Sequence, residues 1–429
     1  MIKIINATKD ESYLERLLAR NQFENDKVNQ TVSAILKNVQ ATGDAALFNY
    51  TEEFDRVKLT QLEVTAEEIA VAYEKIAPEL LASLQAAHDN IARFHEAQLR
   101  EPYILEHEDG SYIGQLIRPI AKVGVYVPGG TAAYPSTVLM NVVPAKIAGV
   151  KEIIMVTPPT ADGSIKAAVL VAAKLAGVNR IFKLGGAQAI AALTYGTESV
   201  PRVDKIVGPG NIYVAMAKKQ VAGYVGIDMI AGPSEILIIA DETANPRYVA
   251  ADLISQAEHD VLAASILITT SPKLAATVNS ELKRQTALLE RADIIAKSLA
   301  DYGQIIITES EASSVAIANQ IAPEHLEIMT KDPEQTSKGL RNVGAIFLGS
   351  YTPEPVGDYY AGPNHTLPTS STARFSSPLS VDDFIKKSSL LYYNKTALAN
   401  AKDAIIRIAM DEGLTGHANS VRIRFEEEN

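Results

Sequence analysis

"EILIIADETANPRYVAADLISQAEHD", residues 235–260, is the stretch on which the fold turns. It opens with a short run rich in isoleucine, Glu235 to Asp241, and continues into a helical segment that ends in Gln256 and His259; "ASILITT", residues 264–270, then starts the same sequence of events again. From about Tyr112 to Leu348 the pattern repeats: "VGVYV" (123–127), "EIIMV" (152–156), "RIFKLGG" (180–186), "DKIVGPG" (204–210), "QIIIT" (304–308) and "AIFLG" (345–349) alternate with helical segments. Such alternation indicates parallel sheets in α/β layers. So many strands exceed one ordinary sheet, so the expectation is two doubly wound domains. Upstream, the first hundred residues read as helices: "TAEEIAVAYEKI" (65–76) has Thr65 as N-cap and Glu68 three residues later, a capping-box pattern. Downstream, "GDYYAGPNHTLPTSSTARFSSPLS" (357–380) carries Asp358, His365 and Arg374 among turn residues and reads as a functional loop before two helical runs and a polar tail.

Composition narrows the chemistry. The 429 residues are 47% hydrophobic and 21% charged, ordinary for a soluble protein of two or three domains. No apolar run approaches the roughly 20 residues that span a bilayer, and no leader pattern precedes a cleavage site, so a cytoplasmic location and no membrane partner are expected. A net charge of −11 argues against nucleic acid. The chain has no cysteine, which excludes disulfides, thiolate metal sites and a cysteine nucleophile. Any metal must use nitrogen and oxygen ligands. Of the seven histidines, His88, His95 and His107 sit in or just after a charged helical stretch and read as surface residues; His259, His325, His365 and His417 lie in loops or at element ends.

Several stretches can carry chemistry. Gln256 and His259, three apart on one helix face, could reach a common metal ion or could be a solvated helix end. "IAPEHLEIMT" (321–330) sets Glu324 beside His325 after a proline, either a base near neutrality with its carboxylate or a surface pair at a turn. Asp358 offers an oxygen ligand and His365 a donor to a substrate anion. "DEGLTGHANS" (411–420) offers Glu412 and His417, or is a frayed tail. Glycines follow strands in "YVPGGTAAYPS" (126–136), "LGGAQAI" (184–190) and "VGPGNIYVAMAKK" (207–219). Each could present N–H groups to a phosphate at a helix start or could be a tight turn, and none matches G-x-G-x-x-G.

Joined in order, "PGGTAAYPSTVLMN" (128–141), "GPGNIYV" (208–214), "IDMIAGPSEILIIADETANPRYVAADLISQAEHD" (227–260), "APEHLE" (322–327), "GDYYAGPNHTLPT" (357–369), "TARFSSPLSV" (372–381) and "EGLTGHANSVRIR" (412–424) resemble the histidinol dehydrogenase family over nearly the whole chain. The resemblance implies an enzyme with one zinc per subunit that oxidises L-histidinol through L-histidinaldehyde to L-histidine with two NAD, the final step of histidine biosynthesis. It implies Gln256, His259 and Asp358 as metal ligands, joined by His417 across a homodimer. Those four residues, with Ser234, His325, His365 and Glu412, would contact substrate, and Tyr126, Gln188 and Asn211 would contact NAD. Glu324 and His325 would be the catalytic bases. Without cysteine no thiohemiacetal can form, so water must attack the aldehyde to give a gem-diol, a role that fits Glu324, while His325 takes the hydroxyl protons. The expected architecture is two doubly wound, incompletely Rossmann-like parallel-sheet domains with small helical extensions. Its limits are 1–22 for the N-terminal extension, 23–125 plus 235–380 for the first domain, 126–234 for the NAD side, and 381–429 for the C-terminal extension. Two rivals share these features: a zinc hydrolase or aldolase without nucleotide, and a two-lobed binding module. Histidinol-dependent formation of reduced NAD separates both from the dehydrogenase.

Overall fold

The structure is a computed structural model that describes residues 2–7, 14, 26–129 and 134–426. Its strands are β1 (Lys3–Asn6), β2 (Tyr103–Glu106), β3 (Tyr112–Pro119), β4 (Lys122–Tyr126), β5 (Glu152–Thr157), β6 (Arg180–Lys183), β7 (Lys205–Val207), β8 (Gly226–Ile227), β9 (Glu235–Ala240), β10 (Ala264–Thr269), β11 (Gln304–Ile307), β12 (His325–Met329), β13 (Ala345–Leu348) and β14 (Ile385–Tyr392). They fall in two compact units, Met1–Gln98 with Ile120–Phe384 and Leu99–Pro119 with Ile385–Asn429.

The first unit is the α/β body, with one parallel sheet in the order β1-β11-β10-β9-β12-β13 and another in the order β6-β5-β4-β7-β8. β9 is central to the first sheet, hydrogen-bonded to β10 and β12, and all six of its residues are buried. Successive side chains of a strand point to opposite faces, so a strand covered on both sides must be apolar throughout. Ile236, Ile238 and Ala240 pack with Val249, Leu253 and Ile254 of the helix Pro246–Ala257 on one face. Leu237 and Ile239 pack with Ala318 and Ile321 of the helix Glu311–Ile321 on the other.

The second sheet is built the same way. Val28, Val32, Ile35, Leu36 and Val39 form one stripe of the helix Asp26–Thr42, and they share a core with Tyr126, Ile154 and Phe182. Residues 26–55 and β4, which the sequence grouped with 235–380, thus belong in space with the five-stranded sheet, because their apolar stripe has its partners there. The capping box at Thr65 is present, with both reciprocal hydrogen bonds. Of the expected helical extension over 1–22, Lys3–Asn6 is a strand paired with β11, while residues 8–13 and 15–22 lie outside the described residues.

The second unit holds an antiparallel sheet, β14-β3-β2, and the helices Lys395–Asp411 and Thr415–Arg422. The 381–429 segment is therefore not wholly helical. β14, "IKKSSLLY", is exposed or half-buried along its length, so it carries no apolar alternation from which a strand could be read. His95 corrects a second expectation: it is fully buried on the helix Pro78–Glu96, with Nδ1 2.8 Å from Gln98 Oε1, not on the surface. It continues the buried stripe of Leu84, Ala87 and Ile91.

Candidate active site

β9 and β12 run side by side with His325 level with Ile236, so Glu324 and His325 meet the start of β9 at the amino edge of the six-stranded sheet. The backbone there holds both side chains. The N–H of Glu235 donates to Glu324 Oε2 at 2.8 Å, and His325 Nδ1 lies 3.1 Å from the carbonyl oxygen of Glu235. A proton on Nδ1 is donated to that carbonyl, which leaves Nε2 as the basic nitrogen. Nε2 has no hydrogen-bond partner, although Asp358 Oδ1 is 3.4 Å away and Glu354 Oε1 4.0 Å away. Glu324 Oε2 is 3.6 Å from Nδ1. Glycine lets the neighbouring strand come this close: a Cβ on Gly344 would stand 2.4 Å from the Glu324 carbonyl oxygen.

Burial and like charge shape the protonation of this pocket. Burial pushes the Glu324 carboxyl up to about 8 and that of Glu354 up to about 7. Burial alone would lower the imidazole of His325, but the carboxylates of Glu324, Glu354 and Asp358 outweigh it and hold His325 well above its ordinary value. Asp358 goes the opposite way. Burial opposes its charge, yet His325, His365 and His259 together keep its carboxyl below the usual range. Three imidazoles therefore gather round one carboxylate, and His365 is also tied to it through Nδ1, 3.0 Å from the Asp358 carbonyl oxygen.

Gln256 is the most telling of the metal candidates. It is fully buried in the last turn of the helix Pro246–Ala257, yet neither Oε1 nor Nε2 has a hydrogen-bond partner. A buried amide without partners is destabilising by about 1–3 kcal/mol, and a cation on Oε1 would remove part of that penalty. His325, Glu354 and Asp358 also offer ligand atoms that all lie within 4.8 Å of one another. These nitrogen and oxygen donors fit zinc in an open site. His259 lies in the turn just beyond the end of that helix, and Ser234 immediately precedes β9. Glu412 and His417 belong to the second unit, where both are exposed.

The sequence reading missed Glu354, Glu327 and Asp252. Glu354 accepts from Ser255 Oγ at 3.1 Å, and its own N–H donates to Glu327 Oε1 at 2.8 Å. Its spacing of four from Asp358 was a usable sign, since such residues share a helix face. Asp252 and Glu327 are both buried, and burial pushes Asp252 up to about 6.

A second concavity opens at the carboxyl edge of the five-stranded sheet, a cavity of about 730 Å³ lined in part by Tyr126, Gln188 and Asn211. Tyr126 ends β4, which lies between β5 and β7, and its hydroxyl accepts from the Gly186 N–H at 3.1 Å. Asn211 caps the helix Ile212–Val221, accepting from the N–H groups of Tyr213 and Val214. Part of the "PGGTAAYPS" loop, residues 130–133, lies outside the described residues.

The model of the family described as histidinol dehydrogenase matches residues 18–425. The chain belongs to the histidinol dehydrogenase family. Curated relatives bearing that name agree: the one from Clostridium acetobutylicum is 56% identical over 97% of this chain and 96% of its own, and that from Caldanaerobacter subterraneus subsp. tengcongensis is 53% identical over 99% of each. The crystal structure of histidinol dehydrogenase from Elizabethkingia anophelis superposes with a TM-score of 0.93 at 38% identity, covering 99% of this chain and 98% of that one. An acetylating aldehyde dehydrogenase from Geobacillus thermoglucosidasius, 14% identical with a TM-score of 0.50 over 86% of this chain and 98% of its own, shares the fold alone. As a histidinol dehydrogenase family member the chain is an enzyme, an oxidoreductase of histidine biosynthesis. Among the described residues no helix is long and apolar enough to cross a membrane.

Proposed function

We propose that this chain oxidises L-histidinol to L-histidine, through L-histidinaldehyde, with two hydride transfers to two NAD, in the cytoplasm and with one zinc per subunit. The observation that carries the reading is the buried Glu324–His325 pair beside Asp358, on the same sheet edge as the unpartnered amide of Gln256. Gln256, His259 and Asp358 would hold the metal with His417 of the partner subunit. Bound zinc would supply chelation of the substrate's amine and imidazole, fixing it for reaction.

His325, once Nε2 has released the proton that the surrounding carboxylates favour, accepts the hydroxyl proton there as hydride leaves the carbinol carbon for the first NAD. Glu324, poised near neutrality by burial, removes a proton from the water that adds to the aldehyde. The resulting gem-diol loses its second hydride to the second NAD while His325 again takes a hydroxyl proton, and the product is the carboxylate. Ser234, His365 and Glu412 complete the substrate contacts. Tyr126, Gln188 and Asn211 line the NAD cavity. A homodimer is supported by the apolar surface of the second unit, where Tyr103, Ile104, Leu105, Leu391 and Ile408 are all exposed.

The test is formation of reduced NAD by the zinc-loaded protein on addition of histidinol. A chelator should abolish it, zinc should restore it, and iodoacetamide should leave it intact. No histidinol-dependent reduction would end this reading. Sharing of the site is tested by refolding inactive Gln256→Ala and His417→Ala chains together, since a mixed dimer holds one site with both defects and one with neither. About a quarter of wild-type activity should return to the statistical mixture, and none if each site is made within one chain.

A further inference from the structure

Two polar atoms among the residues lining the large cavity have no partner. One is Gln188 Oε1, expected to meet NAD; the other is Asp55 Oδ2, which no sequence motif singled out. Asp55 closes a π-helical turn, Thr51–Asp55, after which Arg56 takes φ 60. Such turns insert a residue and re-aim side chains, often at functional positions. Burial pushes the Asp55 carboxyl up to about 6, so it is mostly ionised at neutral pH while one oxygen lacks any donor. A carboxylate in that state is destabilised until O–H or N–H groups reach it.

The cavity wall says which donors fit. Ile35, Phe54, Ile165 and Val169 make much of it apolar, and among the described lining residues Asp55 is the one carboxylate and Lys166 the one cation. A ligand with a flat ring, vicinal hydroxyls and a separate anionic group matches this wall. Residues 26–55 pack with the five-stranded sheet and His325 lies on the six-stranded one, so a dinucleotide whose nicotinamide meets His325 would turn its adenosine half toward Asp55. We infer that Asp55 accepts hydrogen bonds from the adenosine ribose hydroxyls and so selects NAD over its 2′-phosphorylated form. The inference rests on the reading that NAD occupies this cavity. A diol gives two O–H donors to one carboxylate, whereas a 2′-phosphate brings a second negative charge against it.

The test is calorimetric titration of the zinc-loaded, full-length protein with NAD, NADP and 2′-deoxy-NAD. Wild type should bind NAD about tenfold or more tightly than either analogue, the usual scale for a charged hydrogen bond. Asp55→Asn should weaken NAD by a similar factor, weaken 2′-deoxy-NAD less because it has lost one of the two donors already, and narrow the gap to NADP, with the KM for histidinol unaltered. Asp55→Glu, which keeps the charge, should retain discrimination against NADP and serves if the Asn variant does not fold. Equal losses for NAD and 2′-deoxy-NAD, or an Asn variant that binds NAD as wild type does, would overturn the role of Asp55 while leaving NAD in the cavity. Wild type that binds no dinucleotide would remove both readings together.

Discussion

The two parallel sheets of this enzyme use opposite edges. On the five-stranded sheet the cavity lies beyond the carboxyl ends of the strands, beside β4, where the chain order reverses, as in open α/β sheets generally. On the six-stranded sheet Glu324 and His325 gather instead at the amino ends of β9 and β12, next to the C-terminal turn that carries Gln256. The polarity of the helices gives a reason. A helix that follows a parallel strand begins at the carboxyl edge and ends at the amino edge, so the first edge presents N–H groups with partial positive charge and the second carbonyls with partial negative charge. One edge suits an anionic nucleotide and the other a cation. The contents differ accordingly: a roomy cavity with one carboxylate on one side, and on the other a pocket in which Glu324, Glu354 and Asp358 surround the imidazole of His325.

Substitutions on each edge should therefore have separable effects. The largest is expected at the amino edge, where a lost general base reduces rate by about 100-fold to 10,000-fold. His325→Asn should reduce kcat by that order for both histidinol and histidinaldehyde, and Glu324→Gln mainly for the aldehyde. Steady-state rates with each substrate decide it; a Glu324→Gln variant that oxidises aldehyde normally would remove Glu324 from the water step.

A smaller effect is expected at the carboxyl edge. Gly208 has φ +109 and no room for a Cβ, which would stand 2.1 Å from the Tyr126 carbonyl oxygen. The buried Lys218–Asp228 ion pair clamps it, since Lys218 Nζ donates to its carbonyl at 3.0 Å and its N–H donates to Asp228 Oδ2 at 2.8 Å. Gly208→Ala should introduce strain of about 1–3 kcal/mol, visible as lost stability in urea and as a higher KM for NAD. The KM for histidinol should stay near wild type. A rise in the histidinol KM alone would contradict the division of labour between the edges.

The smallest effect concerns the carboxyls behind the amino edge. Burial raises Asp252 from 3.8 to about 6, so the folded state holds its proton more tightly than the unfolded chain does. Its stabilising contribution is complete below about pH 4 and is lost as pH rises through about 6. Asp252→Asn cannot ionise, so relative to wild type it should gain on the order of 1 kcal/mol between pH 4 and pH 8. Paired urea unfolding curves at the two pH values measure this, and a gain of the opposite sign would refute the protonated state.

What the sequence determined by itself is whatever repeats along the chain or sits within one helical turn. Buried parallel strands show as unbroken apolar runs because both faces are covered, which made β5, β9, β10 and β11 legible. By helix periodicity Gln256 could be read as a helical position, and it sits in the last turn of the helix Pro246–Ala257, whereas His259 lies in the turn beyond it. His95 obeyed the same rule, and its place in line with Leu84, Ala87 and Ile91 was there to be read. β14 was not legible, because a strand exposed on both faces needs no pattern and its partner β3 is supplied from far along the chain. Only the tertiary structure brought Asp55 to the cavity wall, set Asp252 beside Glu327, and enclosed Glu324 with His325, Glu354 and Asp358. Periodicity is a local property of the backbone, whereas loss of water and the charge of neighbours belong to a volume that distant segments enclose, and it is these that set how tightly a buried carboxyl holds its proton.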